Sequence, residues 1–134
     1  MATIMLVEDA ADTRDLFKTV LEMAEHQVEI AESGEECLGK LENIKPDVIL
    51  MDISLPGELS GLDVVKKLRA DESYQDIPII ALTAHAMDND RILSLAAGCD
   101  EHISKPVFDL GTFTEIISQY AEKGRKAFHE RSNA

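Results

Sequence analysis

Residues 48–57 read VILMDISLPG, and the first five of them set the architecture. Residues 48–51 are four apolar side chains without alternation, followed at once by a carboxylate, Asp52. Successive Cβ atoms of a strand point to opposite faces, so a strand with one face in water alternates apolar and polar residues. An unbroken apolar run predicts a strand covered on both faces, as in a parallel sheet. Two further runs, IMLV at 4–7 and IIAL at 79–82, have the same character, and weaker strands fit at 28–30 and 102–104.

Between the runs the apolar period lengthens to that of a helix. Leu16, Phe17, Val20, Leu21 and Ala24 form one stripe, with Asp12 or Thr13 placed to cap it. Ser33 and Glu36 have the spacing of a capping box, opening a helix through about Glu42 that ends before Pro46. Leu62, Val65 and Leu68 mark a third helix over 61–69. Ile92, Leu95 and Ala96 mark a fourth over 87–97, stopping at Gly98, where a helix-ending glycine is expected. Leu110, Phe113, Ile117 and Tyr120 mark a last one that frays near Gly124. Strand and helix thus alternate five times, which predicts an α/β fold: a five-stranded doubly wound parallel sheet with helices on both faces.

The whole chain has 134 residues, 45% hydrophobic and 29% charged, which suits one globular domain and excludes a disordered or fibrous chain. A net charge of −13 disfavours nucleic acid and anionic membrane as partners and favours cations or basic proteins. The last 14 residues carry four basic and two acidic side chains, so the first 120 hold −15. Cys37 and Cys99 lack a redox-motif spacing and read as packing residues. The opening MATIMLVED lacks a secretory leader pattern, and strictly apolar runs stop at four residues, so a soluble cytoplasmic protein without membrane insertion is expected.

Ligands of an open parallel sheet gather at the carboxyl ends of its strands. Here Glu8 and Asp9 follow the first strand, Asp52 ends the third, Thr83 and Ala84 follow the fourth, and Lys105-Pro106 follows the fifth. Three carboxylates, a hydroxyl and an ammonium therefore meet at one edge, a hard oxygen-rich set suited to Mg²⁺ and phosphate oxygens.

That set, with LMDISLPG, IPIIALTAHAM and AAGCDEHISKP around it, strongly resembles the receiver domain of bacterial response regulators over about residues 3–120. The resemblance implies the flavodoxin-like strand order 2-1-3-4-5, a receiver domain over 1–121 and a polar tail over 122–134. It implies Asp52 as phosphoacceptor from a phosphohistidine of a histidine kinase or phosphotransfer protein. It also implies Mg²⁺, replaceable by Mn²⁺, held by Glu8, Asp9, Asp52 and the backbone carbonyl of Ser54. Lys105 and Thr83 would contact the phosphoryl, and Thr83 with His102 would form the switch. Ala84 would leave access, and Pro106 would follow a cis peptide. His85 reads first as a surface residue and, two residues beyond Thr83, as a candidate to tune phosphoryl lifetime. A monomer signalling to a downstream protein target, and not an enzyme, is the resulting expectation.

Two departures from the family stand out. His102 occupies a position that is usually aromatic, and Gly61 falls one residue later after Asp52 than in receivers generally, lengthening the loop at 55–60. A phosphoaspartate hydrolase would want an acid at position 54, which is Ser54. A flavodoxin-type carrier would want a Ser/Thr/Gly-rich phosphate loop where this chain has EDAADT. A receiver that works without phosphorylation normally lacks one of the acids or the lysine, and none is missing. A receiver excised from a larger regulator or hybrid kinase is the remaining alternative.

Overall fold

The computed structural model describes residues 2–84, 88–107 and 109–126, with backbone alone at 88–90. His85 and Met87 lie outside the described residues. In chain order the elements are β1 (Thr3–Val7), α1 (Ala11–Met23), β2 (Gln27–Ala31), α2 (Gly34–Leu41), β3 (Val48–Asp52), α3 (Gly61–Arg69), β4 (Ile79–Thr83), α4 (Asp88–Ala97), β5 (Glu101–Ser104) and α5 (Leu110–Lys123). Short 3₁₀ turns follow α3 at Glu72–Tyr74 and α5 at Gly124–Lys126. All strand pairs are parallel, in the order β2-β1-β3-β4-β5.

The unbroken apolar runs work as read. Ile4, Leu6, Val48, Leu50, Ile80 and Leu82 face Phe17 and Leu21 of α1 and Phe113, Ile117 and Tyr120 of α5. Their neighbours Met5, Val7, Ile49, Met51 and Ala81 face Cys37 and Leu41 of α2 and Val64, Val65 and Leu68 of α3. Each buried aliphatic side chain of this kind contributes about 1.5–3 kcal/mol, so both faces are needed to hold the central strands. No described helix is long and apolar enough to cross a membrane.

Four local readings are corrected. The N-cap of α1 is Ala10, without a side-chain cap, because the helix starts directly behind the Glu8-Asp9 pair and leaves Asp12 inside the first turn. Ser33 caps α2 by accepting the Glu36 N–H, but the Glu36 carboxylate turns to the N–H of Glu32. The complete capping box is Ser60 with Asp63, at α3. On α3, Val64 takes the fully buried place and Leu62 is only half-buried.

The largest correction is α4, where Ile92 is 60% and Leu95 37% exposed while Ser94 and Ala97 face inward. Small residues let this helix lie close to its neighbours, so the bulky stripe points out, and Gly98 ends the helix at φ +120°. Leu16 of α1 is likewise half in solvent. Helix α5 ends at Lys123, beside the expected fraying point at Gly124, and a 3₁₀ turn follows over Gly124–Lys126.

Candidate functional site

The parallel register brings the strand ends level. Glu8 follows β1 and its N–H donates to the Ala31 carbonyl. Asp52 is the last residue of β3, in register with Leu82. Thr83 is the last of β4, opposite Ser104, and its carbonyl accepts the Lys105 N–H at 2.6 Å. Ligand atoms of Glu8, Asp9 and Asp52 consequently lie within 4.8 Å of one another. The Lys105 ammonium reaches Glu8 Oε1 at 2.8 Å and Asp52 Oδ2 at 3.3 Å.

Burial makes this arrangement costly. Glu8, Asp52 and Thr83 are buried, Asp9 is exposed, and one ammonium faces three carboxylates. Burial and then the neighbouring Asp52 raise the Glu8 pKa against the pull of Lys105. Burial opposes the Lys105 charge, but Glu8 and Asp52 outweigh it and raise the ammonium's pKa. The cluster is short of positive charge, a condition a divalent cation would relieve.

Its supports come from three directions. Ser54 donates its N–H to Asp52 Oδ1 at 2.9 Å, orienting the carboxylate. A Cβ on Gly61 would meet the Asp52 carbonyl oxygen at 2.2 Å and Ile53 Cα at 2.6 Å, so only glycine lets α3 start against the end of β3. Arg14 holds the other side, donating to the carbonyls of Glu8 and Asp9 at 3.4 and 3.3 Å and pairing with Glu32 at 3.1 Å. Sequence reasoning missed Arg14, for an arginine in a first helical turn carries no signal of its own.

The remaining candidates surround the cluster. Ala84 is exposed, the Lys105-Pro106 peptide is cis, and Pro106 is exposed. His102 is half-buried on β5, in register with Ala81. Beside Lys105 lies a cavity of about 450 Å³ lined by Thr13, Leu16, Phe17, Ala84, Pro106 and Val107, which gives Leu16 a mouth to line in place of a core to fill.

This sheet order with acids and a lysine at its carboxyl edge defines the receiver class of two-component signalling. Residues 4–118 match the response regulator receiver domain, and the chain belongs to that family. It is similar to the polar-differentiation response regulator DivK of Brucella ovis, 41% identical over 118 residues that make up 88% of this chain and 94% of DivK. Among solved structures it is similar to the receiver domain of a sensor histidine kinase from Pseudomonas aeruginosa, in which a magnesium ion is coordinated in the active site cleft. That likeness has 31% identity, a TM-score of 0.82, and covers 91% of this chain and 98% of that one. The chemotaxis response regulator CheY4 of Vibrio cholerae is also similar, with 29% identity, a TM-score of 0.81, and coverage of 88% and 97%.

Proposed function

We propose that the protein is a phosphorylation-driven switch in which Asp52 takes a phosphoryl group from a phosphohistidine of a sensor kinase or phosphotransfer protein. The observation that carries this is the convergence of Glu8, Asp9 and Asp52 within 4.8 Å, with Lys105 bridging two of them. A carboxylate oxygen of Asp52 attacks phosphorus, the P–N bond breaks, and its electron pair returns to the imidazole, which takes up a proton. Glu8, Asp9, Asp52 and the Ser54 carbonyl would hold Mg²⁺, or Mn²⁺ in its place, and the oxygen donor set fits either hard ion. When bound, the ion neutralises charge on the phosphoryl oxygens.

The chain's own groups do the rest. The Ser54 N–H keeps the Asp52 carboxylate oriented for attack. Exposed Ala84 leaves the approach open. Lys105, already paired with Asp52, turns to a phosphoryl oxygen, and the Thr83 hydroxyl takes another. Thr83 then moves inward, and His102, three residues before Lys105 on β5, fills the space released, so that two local packings exchange. Signal leaves through protein contacts with a downstream target. The chain is a phosphoacceptor and not a turnover enzyme, and position 54, where a hydrolase would carry a general acid, is serine.

Intact-mass measurement after incubation with acetyl phosphate and Mg²⁺ tests the reading. One phosphoryl group should add to the wild type, and none to Asp52→Asn or in the presence of EDTA. Equal incorporation in Asp52→Asn would overturn it.

A further inference from the structure

The loop between β3 and α3 runs over residues 53–60, and the structure shows what seats it. At its stem, Gly61 donates its N–H to the Ile53 carbonyl at 3.3 Å, closing residues 53–61 on themselves. At its far side, Glu35 in the first turn of α2 accepts the N–H groups of both Glu58 and Leu59 at 3.2 Å through one carboxylate oxygen. The chain turns into this clasp at Gly57, whose φ is +93°. A Cβ on Gly57 would stand 3.0 and 3.1 Å from the two oxygens of Glu35. Gly34 completes the seat, for a Cβ there would crowd Val64 at 2.6 Å and Leu59 at 3.2 Å. Gly34 thus admits the loop and Glu35 grips it.

We propose that Glu35 is a positioning residue for the phosphoacceptor site, holding the β3–α3 loop so that Ser54, at the loop's start, presents its backbone to Asp52 and to the cation. The inference rests on the reading of Asp52 as phosphoacceptor. A carboxylate accepting backbone N–H groups forms charge-assisted hydrogen bonds, stronger than those between neutral partners. In keeping with that, the Glu35 carboxyl is held below the ordinary glutamate pKa by its own N–H and, beyond that, by those of Leu59 and Glu58. Without the clasp the loop keeps its stem and the packing of Leu55 and Leu59. It loses the two hydrogen bonds that hold Glu58 and Leu59 to Glu35, and the Ser54 carbonyl then samples several orientations, which a cation has to restrict on binding.

The test compares wild type, Glu35→Ala and Glu35→Gln, because a glutamine carbonyl can still accept both N–H groups. Three quantities are read: amide hydrogen exchange at Glu58 and Leu59, Mg²⁺ affinity by NMR titration, and the acetyl phosphate reaction rate across Mg²⁺ concentrations. Glu35→Ala should speed exchange at both amides and weaken Mg²⁺ binding about fivefold, the equivalent of one net hydrogen bond. Its phosphorylation rate should recover at saturating Mg²⁺, and Glu35→Gln, which keeps the acceptor but not the charge, should fall between wild type and Glu35→Ala in all three. Unaltered Mg²⁺ affinity in Glu35→Ala, even with a lowered unfolding midpoint, would show a merely structural contact and overturn the proposal. Impairment in Glu35→Gln as large as in Glu35→Ala would show that an acceptor at this place does not hold the loop, and would also overturn it. Absence of Mg²⁺ binding and phosphorylation in the wild type would instead bring down the site reading, and the role of Glu35 with it.

Discussion

Two buried polar clusters sit at opposite ends of the same sheet, and they are balanced in opposite ways. At the carboxyl end, Lys105 is the one cation paired with Glu8 and Asp52 among the described residues, and Asp9 lies beside them. At the amino end, Asp100 sits between two guanidinium groups. Its carboxylate accepts from Arg69 at 3.0 Å, from Arg125 at 2.7 Å and from the Ile79 N–H at 2.9 Å. Arg69 spends its other donors on the carbonyls of Gly98, Tyr74 and Ile77. At the amino end the one carboxylate is buried and takes three donors, while Arg125, 41% exposed, keeps part of its charge in water, and such a fully bonded acceptor favours a single arrangement. At the carboxyl end the carboxylates crowd one another around a single ammonium, which leaves the site poised for a cation or a reacting group. The second cluster ties α3, β4 and the start of β5 to the turn after α5.

If this contrast is right, removing an acid should have opposite signs at the two ends. Asp100→Ala leaves the largely buried Arg69 without its carboxylate, while Arg125, 41% exposed, can turn to water, and should cost about 2–3 kcal/mol of stability, less than breaking a wholly buried ion pair. Urea unfolding measures it, and a loss below about 1 kcal/mol would show that the amino-end cluster is no keystone. Asp52→Asn at the other end should abolish phosphorylation yet leave the metal-free protein as stable as wild type or more so. A marked fall in its thermal midpoint would mean that the carboxyl end is already balanced.

Cation binding sharpens the same point. Mg²⁺ at several times its Kd should stabilise wild type by about 1–2 kcal/mol, and it should do much less for Asp52→Asn. Equal stabilisation of both proteins would locate the ion elsewhere.

His26 provides a smaller effect at the amino end. Its Nε2 contacts the Ser118 hydroxyl at 2.9 Å, while Nδ1 is buried without a hydrogen-bond partner among the described residues. Burial lowers its pKa from 6.5. The unfolded chain therefore binds the proton first, and stability should fall as pH drops below 6.5, levelling off below the folded pKa. Unfolding of wild type and His26→Gln across this range should differ in slope; parallel curves would remove His26 from the account. The smallest signal is chemical. Burial pushes the thiols of Cys37 and Cys99 up to about 12, so neither should react with a thiol reagent near neutral pH until the protein unfolds.

Much of this was legible before any coordinates. Strands buried on both faces must be apolar throughout, so residues 4–7, 48–51 and 79–82 announced the sheet, and the acids and lysine directly behind each strand announced the site. Helical periodicity is a weaker guide, because it reveals a stripe without saying what covers it. The stripe of α4 at Ile92 and Leu95 faces out, and the inward side belongs to Ser94 and Ala97. Nor does spacing identify partners far apart in the chain: Arg69 and Asp100 are separated by 31 residues, Asp100 and Arg125 by 25, and Glu35 and Glu58 by 23.

The division has a simple physical origin. Periodicity, apolar runs and turn residues are local consequences of backbone geometry, and they determined the five strand–helix units and which end of the sheet carries the chemistry. How many charges meet at each end, which helix face is left to solvent and how the β3–α3 loop is held depend on side chains that come together only once the crossovers have closed. Those outcomes follow from the balance between desolvation and pairing at each point of contact, and only the tertiary structure decides that balance.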